Sequence, residues 1–429
     1  MKIVSYPERS RWQELCRRPE INKSELRTKV AEILDYVRKS GDKALSNLAE
    51  KFDGVRPKDL KVPESEIEAS SGLVTEELKE AIAVAMENIT RFHSAQLREE
   101  PVIETTRGVR CWRKSVPIDR VGLYIPGGTA PLFSTVLMLA IPARIAGCPE
   151  IILCTPPDRN GNINPLILYS AKMAGVTQIF RAGGAQAIAA MAFGTETIPK
   201  ADKIFGPGNQ YVTMAKALVQ LEGTAIDIPA GPSEVLIIAD GDSEPSFVAS
   251  DLLSQAEHGT DSQVILLTDS EEFTEKVLAE TRKQAMLLPR KDIALRALEN
   301  SLSILFSSTD ECVEFSNLYA PEHLIISTSD PDRLAGKVTS AGSVFLGKYS
   351  CESAGDYASG TNHTLPTAGF ARSHGGVSAE SFVKKITFQE IDPEGIRKLG
   401  PVIEKMAEAE QLKAHANAVT IRLKSLEND

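Results

Sequence analysis

From Val121 onward this chain keeps repeating one arrangement: a short apolar run, a helical stretch, another apolar run. A first series runs through Val121–Ile125, Ile151–Cys154, Gln178–Phe180 and Lys203–Phe205. A second runs through Val235–Ala239, Val264–Leu267, Ser303–Phe306, Leu324–Ile326 and Ser343–Leu346. Strands separated by helices of about 10–15 residues lie parallel and are joined by right-handed crossovers. The alternation therefore predicts an α/β fold with two Rossmann-like parallel-sheet halves, joined near Ile226–Ser233. The two halves share a layout but no residue-level repeat.

The flanks read differently. The first hundred residues are helical in pattern, with Ser24 as a cap and Val30, Ile33, Leu34 and Val37 on one stripe. Gly41 and Gly54 punctuate two successive helices. A longer amphipathic helix is expected from Thr75 to His93, with His93 a structural residue at its end. A strand pair follows over Val102–Pro117. From Gln389 the pattern returns to helix, with Val402, Ile403, Met406, Ala409 and Leu412 spaced for one face. The alternation of Val419, Ile421 and Leu423 predicts a short terminal strand.

The 58 acidic residues outnumber 48 basic ones, giving a net charge of −10. That balance argues against binding nucleic acid or an anionic membrane, and no basic arm stands out. The longest apolar stretch, Pro131–Gly147, is broken by Pro142 and Arg144 and is too short to span a bilayer. Met1–Pro7 has no apolar core of a secretory signal. Six cysteines, none paired as CxxC, fit reduced thiols. A cytoplasmic protein is expected.

Two glycine-rich segments, Tyr124–Pro131 and Phe205–Asn209, each lie between a strand and a helix. Glycine permits close backbone approach, and the following helix start favours an anion. Neither is a full dinucleotide fingerprint: Tyr211 stands where a small residue belongs, and no acidic residue follows at the usual distance. No GxxxxGK[ST] loop occurs. Each loop alone is equally a tight turn that binds nothing.

Only six histidines occur, and His258, His323, His363 and His415 sit in polar, acid-flanked or glycine-rich settings. Imidazole binds zinc and moves protons near neutral pH, so this distribution points to one metal or acid–base site that the fold must assemble. Gln255 and His258 are three apart at the end of a helical stretch, Ser246–His258, on one face; a polar helix end is the simpler alternative. Asp356 lies in a glycine- and serine-rich loop ending at His363, which is equally a solvated turn. Glu322 and His323 precede a strand and could serve two distinct proton transfers. Glu410 and His415 are five apart, about 140° around a helix, and meet one ligand only near a helix end.

Together these segments resemble the histidinol dehydrogenase family over nearly the whole chain. The resemblance is carried by RVGLYIPGGTAPLFS at Arg120–Ser134, GGAQA at Gly183–Ala187, FGPGN at Phe205–Asn209 and PAGPSE at Pro229–Glu234. LSQAEHG at Leu253–Gly259, YAPEH at Tyr319–His323 and SAGDYASGTNH at Ser353–His363 complete it. The resemblance implies oxidation of L-histidinol through L-histidinaldehyde to L-histidine, with two NAD and one zinc per subunit. It implies zinc ligands at Gln255, His258, Asp356 and His415, and proton acceptors at Glu322 and His323. Substrate contacts fall at Ser233, His363 and Glu410, with Gln255, His258, His323, Asp356 and His415. NAD contacts fall at Tyr124, Gln186 and Asn209. It further implies a homodimer with shared active sites, in which Glu410 and His415 serve the neighbouring subunit. The implied domains are 1–121 with 234–378, carrying most of the metal site; 122–233, binding NAD; and a tail, 379–429, exchanged across the dimer. A related zinc- and NAD-dependent dehydrogenase of another small alcohol is the alternative.

Overall fold

Each apolar series becomes one parallel sheet. In the computed structural model, which describes residues 1–18, 23–127, 130–228 and 231–427, the four runs of the first series form four strands, and Ala225–Ile226, which the sequence reading did not expect, adds a fifth at the edge. Their order across the sheet is Gln178–Arg181, Glu150–Thr155, Arg120–Tyr124, Lys203–Phe205 and Ala225–Ile226, all parallel. The chain starts in the middle, steps outward twice, then crosses back to the other side of its first strand. The order therefore reverses between Arg120–Tyr124 and Lys203–Phe205, where Leu123 pairs with Phe205. A crevice opens outside the carboxyl ends of strands at such a reversal.

The second series repeats this order in a six-stranded parallel sheet: Leu302–Leu305, Gln263–Thr268, Glu234–Ala239, His323–Ser327 and Ser343–Leu346, with Lys2–Ser5 on the outer edge. Every residue of Glu234–Ala239 and Gln263–Thr268 is buried. Strands covered on both faces read as unbroken apolar runs, which is why they stand out in the sequence. Lys2–Ser5 departs from the all-helical reading of the first hundred residues. Only Val4 of this four-residue edge strand is buried, so it carries almost no pattern.

Both sheets belong to one compact unit, Met1–Gln96 with Ile118–Phe382. Its helix Lys23–Phe52 breaks at Gly41, which has a φ of 50°. That helix packs Val30, Leu34, Val37 and Leu45 against the alanine-rich helix Gly184–Phe193. The apolar stretch after Pro131 is the buried helix Phe133–Ala146, which accommodates Pro142 internally. No described helix is long and apolar enough to cross a membrane. His93 ends the helix Glu76–Ser94, fully buried, with Nδ1 3.0 Å from Gln96 Oε1. All six cysteines are free thiols, and Cys154 is wholly buried.

The second unit, Leu97–Pro117 with Val383–Asp429, holds a three-stranded antiparallel sheet. The expected strand pair is present as Ile103–Thr106 and Val109–Pro117, and Val383–Ile391 joins it along nine paired positions. Helix therefore does not resume at Gln389. It starts at Pro393, behind Asp392, whose side chain accepts Gly395 N–H at 2.7 Å. The expected terminal strand is also corrected: Lys413–Ser425 is a helix. Ala416 and Val419 are buried while Ile421 is 58% exposed, so the burial follows a helical period and not alternation. A Cβ on Gly400 would crowd Val419 and Leu423, so the glycine lets the two helices approach.

Candidate active site

The strands Glu234–Ala239 and His323–Ser327 are neighbours, and His323 pairs with Val235 in their register. That puts Glu234, Glu322 and His323 together at the amino ends of this sheet. Ser233 sits just before Glu234. The helix Pro245–Ala256 leaves the other end of the first strand and returns to the same edge, carrying Gln255 in its last turn. The helix stops at Ala256, so His258 lies in the following turn, with its N–H 3.2 Å from the Gln255 carbonyl.

Asp356 is not in a loop as its glycine- and serine-rich surroundings suggest. It occupies a short helix, Glu352–Tyr357. Gly355 makes this possible, because a Cβ there would run into the Phe345 ring 2.6 Å away. The helix puts Glu352 and Asp356 four apart on one face. One donor atom each from His258, Glu352 and Asp356 lie within 4.8 Å of one another. Gln255, buried beside them, donates its amide N–H to Glu352 and accepts the Glu234 N–H at 3.1 Å. An imidazole and two carboxylates are a suitable donor set for a divalent cation, and the nitrogen suits zinc.

His323 presents Nδ1 to the Glu234 carbonyl at 3.2 Å. Its Nε2 is buried, has no hydrogen-bond partner among the described residues and stands 3.5 Å from Asp356 Oδ1. Burial disfavours the imidazolium, but the carboxylates of Glu352, Glu322 and Asp356 outweigh it and raise His323 to about 10. Burial likewise pushes Glu322 up to about 7, against the pull of His323 and the Glu234 N–H. Glu352, almost wholly buried, is raised well above the usual carboxylate range for the same reason. Burial works against the Asp356 carboxylate too, yet His323, His363 and His258 hold it below the ordinary value. His363 reaches the same cluster with Nδ1 2.9 Å from the Asp356 carbonyl and Nε2 3.1 Å from Thr135 Oγ1.

A separate cleft of about 1450 Å³ lies at the strand-order reversal of the five-stranded sheet. Tyr124, Gly127, Gln186 and Asn209 line it. The Tyr124 hydroxyl accepts the Gly184 N–H at 3.0 Å. Asn209 caps the helix Gln210–Leu221, its Oδ1 accepting the N–H groups of Tyr211 and Val212. Of the two glycine-rich loops, Gly128 and Thr129 lie outside the described residues, as do Pro229 and Ala230 of the PAGPSE segment.

The model of the family described as histidinol dehydrogenase matches residues 16–423. Histidinol dehydrogenase of Bacteroides thetaiotaomicron is 57% identical over 426 residues, covering 99% of this chain and 100% of that protein. The enzyme of Escherichia coli O6:H1 is 53% identical over 417 residues, covering 96% and 95%. The crystal structure of histidinol dehydrogenase from Elizabethkingia anophelis superposes with a TM-score of 0.97 at 57% identity, covering 100% of this chain and 99% of that one. The chain belongs to the histidinol dehydrogenase family. It is thus an oxidoreductase of histidine biosynthesis.

Within that family frame, the fold gathers Ser233, Gln255, His258, Glu322, His323, Asp356 and His363 around one edge of the six-stranded sheet. It lines a cleft of the five-stranded sheet with Tyr124, Gln186 and Asn209. Glu410 and His415 belong to the second unit, both exposed. They flank the turn between its two helices, where Gln411 takes a φ of 61°. Two residues escape a reading of the sequence. Glu234 joins Glu322 and His323 through its backbone, while Arg18 and the Ala368 N–H hold its carboxylate. Glu352 stands at the donor cluster. Its four-residue spacing from Asp356 was the available signal, hidden because the segment reads as loop.

Proposed function

We propose that this enzyme oxidises L-histidinol to L-histidine in two NAD-linked steps at a zinc-anchored site. The observation that carries the reading is the convergence of His258, Glu352 and Asp356 on one point beside His323, with the Gln255 amide against Glu352. Gln255, His258, Asp356 and a His415 from the partner subunit would hold the metal. A divalent cation there supplies a Lewis-acid anchor for the substrate imidazole and amine, and its charge offsets the carboxylates that otherwise keep a proton on His323. NAD supplies the hydride acceptor for each oxidation, in the cleft lined by Tyr124, Gln186 and Asn209.

The residues of the chain then divide the work. With Nδ1–H directed at the Glu234 carbonyl, His323 offers Nε2 as the base that takes the alcohol proton. Glu322 takes a proton from the water that adds to the aldehyde carbon, and the resulting hydrate yields the second hydride and the acid. Ser233 and His363 contact the substrate, and Glu410 of the partner subunit pairs with its amine. The aldehyde stays bound between the two steps, so that no reactive carbonyl is released.

The wider assignment follows from the same reading: a homodimer with shared sites, in a cytoplasmic setting, its residues 122–233 serving the dinucleotide and residues 1–121 with 234–378 the metal. Initial rates of NAD reduction with histidinol, compared with other small amino alcohols, test it. A strong preference for histidinol is expected. Equal or better rates with another alcohol would instead favour a related dehydrogenase with a different substrate.

A further inference from the structure

Against Gly206 of the five-stranded sheet's FGPGN loop lies a charged pair that the chemistry above does not use. Lys216, on the helix Gln210–Leu221, has a side chain only 4% exposed, and Asp227, just after the edge strand Ala225–Ile226, has one 1% exposed. The two form an ion pair. Both also grip one residue. Lys216 Nζ donates to the Gly206 carbonyl at 2.9 Å, and the Gly206 N–H donates to Asp227 Oδ2 at 2.8 Å.

Gly206 opens the FGPGN loop. Its φ of +126° suits glycine alone, and a Cβ would overlap the Tyr124 carbonyl oxygen. Two facts make the pair more than packing. Burying opposite charges is a poor route to stability, since a well-packed apolar pair does as well or better. An apolar pair could not, however, bind the donor and the acceptor of the same peptide residue. The second nearby cation, Lys203, turns its Nζ to the Ser381 carbonyl and leaves the clamp to Lys216. Three residues beyond Gly206, Asn209 is fixed by its helix cap, so both ends of the loop are held.

We infer that Lys216 and Asp227 are positioning residues that keep the loop Phe205–Asn209 in its dinucleotide-binding shape before the ligand arrives. The inference rests on the reading of this cleft as the NAD site. Ordering a loop at the moment of binding costs affinity, and a preformed loop avoids that cost. The loop would act on the dinucleotide alone, because the metal cluster is built on the other sheet.

Two charge-neutral double variants separate this role from simple support of the fold. In Lys216→Met/Asp227→Leu both grips on Gly206 are gone, whereas Lys216→Gln/Asp227→Asn keeps a donor and an acceptor without the charges. The first variant is expected to raise KM for NAD about tenfold and the second by no more than about threefold, with KM for histidinol and metal content unchanged in both. An unchanged KM for NAD in the Met/Leu variant overturns the inference, as does an equal rise for NAD and histidinol. Should the Met/Leu variant not fold, amide exchange of the wild-type enzyme decides: slow exchange at Gly206 without NAD is expected, and fast exchange that slows only on adding NAD refutes it. A wild-type enzyme that binds no NAD removes the dinucleotide reading and this inference together. One that binds NAD beside a Met/Leu variant binding it equally well removes this inference alone.

Discussion

The Glu234 N–H donates to Glu322 Oε2 at 2.8 Å, holding that carboxylate at the buried start of the neighbouring strand. One hydrogen bond does not offset the burial, and Glu322 rises to about 7. A carboxylate poised there can accept a proton near neutral pH. Because Glu322 is assigned to water activation, Glu322→Gln is expected to slow histidinaldehyde oxidation about 10²–10⁴-fold and histidinol oxidation much less. The wild-type aldehyde step should also fall as pH drops below about 7, where Glu322 takes up its proton. Stopped-flow measurement of the two half-reactions checks both, and equal loss in each would contradict the division of roles.

The donor cluster gives a second prediction, on metal and not on rate. Because His258 is assigned to the metal, His258→Asn should leave the purified protein with little zinc. Glu352→Gln should weaken metal binding about 10–100-fold, because it takes a carboxylate out of the donor cluster. Competition against a chelator measures both. Wild-type affinity in either variant would refute the corresponding assignment.

How far the sequence carries toward this site depends on what each residue's neighbours do to the pattern. The strands around Glu234 and His323 are legible because burial on both faces makes them continuous apolar runs. The three-residue spacing of Gln255 and His258 is visible too. Glu352 is not, since small residues packed under Phe345 make its helix look like loop. Val383–Ile391 is obscured as well: Ile386 and Phe388 remain about two-fifths exposed, so the strand lacks a buried face to announce it. The meeting of His323 with Asp356 is purely tertiary and follows from strand order.

Glu410 and His415 lie on the second unit, at the turn between its helices. Their assignment to the neighbouring subunit's site predicts complementation. Heterodimers mixing inactive His258→Asn and His415→Asn chains hold one site with both lesions and one with neither. About half of wild-type activity per dimer is expected, by the arithmetic of shared sites between symmetric subunits. No recovery in verified heterodimers would mean that each chain completes its own site.

Asp251, on the helix that delivers Gln255, supplies a test of stability. Burial raises its carboxyl to about 7 in the folded protein, above its ordinary value. The folded state therefore holds this proton more tightly than the unfolded chain. Stability from that term is full below the ordinary carboxylate range and is lost as pH rises toward about 7. Asp251→Asn should accordingly raise Tm relative to wild type more at pH 8 than at pH 4. A Tm difference independent of pH would show that burial does not penalise the charge.

In the proposed mechanism one metal site serves two successive oxidations by NAD. The most direct measurement is the yield of NADH per histidinol consumed, before and after removal of metal by a chelator. Two NADH per histidinol with no free aldehyde, lost on chelation and restored by zinc, is the predicted result. A yield of one, or a yield and rate indifferent to chelation, would contradict it.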